Sequence, residues 1–96
     1  MSERVLQAKI IKYINGLGGV VYNIHGTSFS AKGTPDLLTC LEGRFVAIEV
    51  KVGKNKTSTA QDLQIKRIKN AGGIGIVAYN LEELRLELKK HGFTNI

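Results

Sequence analysis

At 96 residues, with 43% hydrophobic and 23% charged side chains, the chain can build one compact domain, spanning 1–96, around a single modest core, and is too short for two. Fourteen Lys and Arg against eight Asp and Glu leave a net charge of +6, which favours a polyanionic partner and makes nucleic acid the first candidate. One cysteine excludes an internal disulfide, no apolar run reaches membrane-spanning length, and Met1-Ser2-Glu3-Arg4 lacks the apolar stretch of a secretory signal, so the expectation is an intracellular protein with no membrane segment.

Ser2 can cap a first helix over about residues 3 to 16, where Leu6, Ile10, Tyr13, Ile14 and Leu17 form one stripe and Gly16, Gly18 and Gly19 end it. Val20 to Ile24 reads as a strand, and residues 25 to 33 as a polar loop of small residues. Pro35 to Leu41 and Arg44 to Val52 are strands joined by Glu42-Gly43, a connection suited to a tight hairpin. After a basic loop, Ser58-x-x-Gln61 and Thr59-x-x-Asp62 are overlapping capping-box signals for a helix that runs to Ala71 and stops at Gly72-Gly73. Ile74 to Tyr79 is a further strand, and Asn80-x-x-Glu83 caps a last helix with Leu81, Leu84 and Leu88 inward, ending near His91-Gly92. The order αβββαβα combines an antiparallel hairpin with a later helical crossover, which predicts a mixed central sheet flanked by helices.

If Glu42 and Gly43 are the two turn residues, counting outward sets Asp36 opposite Glu49, with Lys51 two residues on and on the same face. Two opposed carboxylates repel unless something neutralises them, and a divalent cation would. The rest of that face is Leu38, Cys40, Phe45 and Ala47, and the other carries Leu37, Leu41, Val46, Ile48, Val50 and Val52, so the hairpin is expected to be covered on both sides. Oxygen ligands with room for water suit Mg²⁺ or Mn²⁺, whereas one cysteine and two distant histidines supply no zinc set. The chemistry this arrangement points to is metal-assisted phosphodiester hydrolysis, with Lys51 orienting a water or stabilising developing charge.

Gly33-Thr34-Pro35-Asp36-Leu37 followed by Ile48-Glu49-Val50-Lys51 resembles the PD-(D/E)xK nuclease superfamily, and specifically the virus-type replication-repair nuclease (VRR-NUC) domain, over nearly the whole chain. The resemblance implies an α/β, restriction-endonuclease-like core of order αβββαβ. It implies metal binding by Asp36, Glu49 and the backbone carbonyl of Val50, and a catalytic Lys51. Gln61 matches the glutamine on the helix after the E-x-K strand; it also fits a capping box, and the two roles are compatible. Glu3 matches an acidic residue on the first helix that would join the catalytic and metal-binding set, although the helix dipole alone favours an acid there. Gln7, one turn later, either assists it or faces solvent.

Around this centre, His25, Ser28 and Lys32, in the loop before the motif, and Lys54 and Lys56 are the candidate phosphate contacts, while Lys66, Arg67 and Lys69 fit a solvated helix face. The resemblance further implies a structure-selective DNA endonuclease acting on branched DNA such as Holliday junctions. A homodimer would add burial to so short a chain and bring two active sites to one junction. A monomeric flap or nicking nuclease and a non-catalytic nucleic-acid-binding module of the same fold are the alternatives. A ribonuclease is a third, weakened because the six aromatics fall mostly at expected core positions and offer no evident stacking platform.

Overall fold

The computed structural model describes residues 1–24 and 31–96. Its elements run α1 (Glu3–Gly16), β1 (Val20–Asn23), β2 (Leu37–Leu41), β3 (Arg44–Val50), α2 (Thr59–Asn70), β4 (Ile74–Ala78) and α3 (Leu81–Lys90). Each strand is one or two residues shorter than the apolar pattern suggests, because pairing stops before the hydrophobic run does.

Glu42 and Gly43 both have positive φ, 51° and 75°, the signature of a two-residue type I′ turn whose twist matches the flanking strands. The turn fixes the register at Leu41↔Arg44, and the antiparallel ladder continues to Leu37↔Ile48. β1 adds antiparallel to β2, and β4 adds parallel to β3 after the α2 crossover, giving the order β1-β2-β3-β4 in one mixed sheet.

On one face, α1 and α3 bury Leu37, Leu41, Val46, Ile48, Val50, Ile74, Ile76 and Ala78 against Leu6, Ile10, Ile14, Leu84 and Leu88. On the other face α2 lies over β3 and β4. Gly75 permits that approach, since a Cβ there would meet Ile65 Cγ2 at 3.0 Å. One helix, about 10 Å across, covers about two strands spaced ~4.8 Å apart, so a single helix cannot roof four. The expectation that both faces are covered therefore fails at the turn end, where Val20, Tyr22, Cys40 and Phe45 are exposed beside half-buried Leu38. Phe45, on a hairpin face expected to be covered, is 45% exposed, and Tyr22 on the neighbouring strand is 67% exposed. No helix among the described residues is long and apolar enough to cross a membrane.

Candidate active site

Asp36 stands one step beyond the Leu37↔Ile48 pair, which carries the register to Glu49 on the facing strand. Both carboxylates are buried, with 2% and 1% of their surface exposed. The Val50 N–H donates to Asp36 Oδ2 at 3.1 Å. The Lys51 N–H instead donates to Ala78 across the parallel ladder, at 3.0 Å. Alternation along β3 then turns both main-chain groups of Val50 towards Asp36. Lys51 Nζ lies 3.6 Å from Glu49 Oε2.

Two local devices hold this arrangement. Gly33 (φ +82°) abuts the first turn of α2, and a Cβ at this position would fall on the Ala60 carbonyl. Gln64 Nε2 reinforces the contact by donating to the Lys32 carbonyl at 3.3 Å. The segment that delivers Pro35 and Asp36 is therefore docked on the same helix turn that carries Gln61. There Ser58 and Gln61 close a reciprocal capping box, and Gln61 Nε2 also donates to Glu49 Oε2 at 3.0 Å. Gln61 thus closes the capping box and reaches Glu49 with the same amide. The competing Thr59-x-x-Asp62 box is not formed; Asp62 Oδ1 accepts from Thr57 Oγ1 at 2.5 Å.

Burial pushes the Glu49 carboxyl up to about 7; the Asp36 charge adds to the rise, Lys51 opposes it, and Glu3 contributes a smaller rise. Glu49 Oε1 is buried and has no hydrogen-bond partner among the described residues. An acceptor left unsatisfied beside a second carboxylate is costly, and a divalent cation would relieve both the lost hydrogen bond and the repulsion. The all-oxygen donor set of Asp36, Glu49 and the Val50 carbonyl suits Mg²⁺ or Mn²⁺. Among the described residues no third Asp, Glu, His or Cys joins the pair closely enough to form a three-residue metal cluster.

Glu3 instead lines a neighbouring polar cavity of about 460 Å³ with Arg4, Gln7 and Asn23, and Glu49 feels its charge. Gln7 is 8% exposed and accepts from Asn23 Nδ2 at 3.4 Å, so it points inward rather than to solvent. Lys32, Lys54 and Lys56 are exposed, as are Lys66, Arg67 and Lys69 on α2. His25 and Ser28 lie outside the described residues. Sequence reasoning missed Tyr79, whose hydroxyl donates to the Asn55 carbonyl at 2.7 Å and ties the Lys54–Lys56 loop to the end of β4. It also missed the packing role of Gly33, for which a glycine two residues before Pro35 was the available signal.

A solved structure described as a VRR_NUC domain matches nearly the whole chain: 26% identity, TM-score 0.76, covering 95% of this chain and 97% of that one. The chain has the VRR-NUC fold. It also shares its fold with Hjc, a Holliday junction resolvase from Archaeoglobus fulgidus, at 20% identity and TM-score 0.62 over 80% of this chain and 67% of that one. Both likenesses fit the restriction-endonuclease-like arrangement of a four-stranded mixed sheet flanked by helices. No family sequence model matches the chain, and no curated protein sequence does. The likeness to the VRR_NUC domain accordingly rests on the solved structure and its shared fold.

Proposed function

We propose that this protein is a divalent-metal-dependent DNA endonuclease of the PD-(D/E)xK type. The observation that carries the reading is the buried Asp36–Glu49 pair, with Lys51 beside it and Glu49 Oε1 without a hydrogen-bond partner among the described residues. Asp36, Glu49 and the Val50 carbonyl would hold Mg²⁺ or Mn²⁺, and Glu3, outside that donor set, adds negative charge from the neighbouring cavity on α1. Such an ion, when bound, polarises a phosphate oxygen and acidifies a water. Lys51, 13% exposed at its side chain, is fixed by Glu49 and can orient the attacking water or neutralise charge developing on the phosphate. Lys32, Lys54 and Lys56 supply exposed positive charge next to this end of the sheet, His25 and Ser28 belong to the same DNA-contact set by sequence, and the net charge of +6 attracts the substrate at longer range.

Branched DNA, Holliday junctions in particular, is the proposed substrate, supported by the fold shared with Hjc, itself described as a Holliday junction resolvase. A homodimer is the proposed active form. Its support is the uncharged face of Val20, Tyr22, Leu38, Cys40 and Phe45, where two copies of a +6 chain can meet without opposing like charges. A pure nucleic-acid-binding module is disfavoured because a buried acidic pair facing phosphates would repel them. The test is cleavage of a labelled four-way junction, a flap and a plain duplex with Mg²⁺ or Mn²⁺. Preferential junction cutting by a dimer supports the whole reading. Flap or nick cutting by a monomer would replace the branched-DNA part, and metal-independent binding without cutting would leave the binding module.

A further inference from the structure

A side-chain amide presents an acceptor at one end and a donor at the other, so whatever fixes one end decides what the other can do. In Gln61, Oε1 accepts the main-chain N–H of Ser58 at 2.8 Å, and Nε2 is thereby turned to Glu49 Oε2 at 3.0 Å. Reversing the amide would set a carbonyl oxygen against a carboxylate oxygen and leave the Ser58 N–H facing an NH₂ group. The Ser58 N–H is itself held in place, because Ser58 Oγ accepts from the Gln61 N–H at 3.2 Å and the Ser58 carbonyl accepts from the Asp62 N–H at 2.9 Å. Lys51 Nζ, at 3.6 Å, sits on the same Oε2. Both identified donors to this carboxylate therefore engage one oxygen, while Oε1 is buried and unpartnered among the described residues.

We infer that Gln61 is a positioning residue: its amide, oriented by the capping box of α2, holds Glu49 Oε2 and leaves Oε1 as the single atom that this carboxylate offers a divalent cation. The inference rests on the metal-dependent reading above and deepens it. The start of α2 is then part of the metal site's supporting shell, and Gly33 belongs to the same unit because it lets the segment carrying Asp36 seat on that turn. Glu49 acts as a one-oxygen ligand whose rotation is blocked by Gln61, which keeps the metal-binding oxygen in place before substrate arrives.

The experiment separates a helix-capping role from a positioning role in the full-length chain. Gln61→Glu retains the Ser-x-x-Glu form of the capping box but loses the donor to Glu49. Gln61→Met loses both, and Ser58→Ala loses one cap hydrogen bond while keeping the main-chain N–H that orients Gln61. Thermal melts establish that each variant is folded. Cleavage by Gln61→Glu is expected to fall about 10- to 100-fold, and Mn²⁺ affinity of Gln61→Met, measured by calorimetry without DNA, to weaken by about tenfold. Ser58→Ala is expected to stay closer to wild type than either in both assays. Cleavage and Mn²⁺ affinity of both Gln61 variants within about twofold of wild type would overturn the inference and leave Gln61 a local cap. A wild-type protein that binds Mn²⁺ yet cuts no DNA would overturn the nuclease reading alone, with the Gln61→Met titration still deciding this one. A wild-type protein that binds no Mn²⁺ would overturn both.

Discussion

The two ends of the central hairpin invert the usual distribution of polarity. At the turn end, Cys40 and Phe45 are exposed next to Tyr22; at the other end, Asp36 and Glu49 are almost wholly buried. Apolar side chains left out and carboxylates taken in both cost free energy; Val50, Gln61 and Lys51 offset part of the carboxylate cost, and Glu49 Oε1 is left without a hydrogen-bond partner among the described residues. The difference lies in which partner removes the cost. A cation and a phosphate would suit the carboxylate end, whereas an apolar surface would suit the turn end.

Substitutions at the carboxylate end should have the largest effects. Asp36→Ala and Lys51→Ala are expected to lower cleavage by about 100- to 1,000-fold or more while the protein still folds, as measured by single-turnover assay alongside thermal melts. Either variant cutting at the wild-type rate would remove its residue from the centre. Gly33→Ala attacks the same end through its support. Left-handed φ and the approach to Ala60 together should cost about 2 to 4 kcal/mol, read from denaturant midpoints. An unchanged midpoint would mean that the segment before Asp36 does not depend on this contact.

Glu49 makes the burial cost itself measurable. Its carboxyl is raised from 4.5 to about 7 in the folded state, so the folded protein binds that proton more tightly than the unfolded chain. Below pH 4.5 the group is neutral in both states and costs nothing. Between 4.5 and about 7 stability falls as the unfolded chain deprotonates first, and above 7 the penalty stays constant at up to about 3 kcal/mol. Glu49→Gln should flatten that slope and stabilise the metal-free protein at pH 8, while abolishing the rise in melting temperature that Mn²⁺ gives the wild type. A wild-type melting profile flat between pH 4.5 and 7 would show that Glu49 is not desolvated. At the turn end the effect on the fold should be smallest: Phe45→Ser should change stability by under about 1 kcal/mol yet shift sedimentation from dimer to monomer. A dimer that survives it would place the contact elsewhere.

This contrast also explains what was legible in the chain. The hairpin register could be counted outward from Glu42-Gly43 because a two-residue turn leaves no freedom, and that count brought Asp36 opposite Glu49. The helices were readable from apolar stripes and caps, down to Ser2, Ser58 and Asn80. What could not be read was how many helices cover each face, since periodicity shows that a strand has an apolar face and not which element meets it. Phe45 therefore looked like core. The Gly33–Ala60 approach and the Tyr79–Asn55 tether join parts of the chain whose meeting depends on the tertiary path, which no local pattern encodes.

A Mn²⁺ titration decides whether the buried carboxylate pair serves a divalent cation in DNA hydrolysis. Wild type and Asp36→Ala would be mixed with a labelled four-way junction at increasing Mn²⁺, with cleavage and melting temperature followed together. Wild type is expected to be stabilised and activated over the same Mn²⁺ range, and Asp36→Ala to show neither response. Cleavage without added metal in the presence of a chelator, or equal responses from both proteins, would contradict that role of the pair.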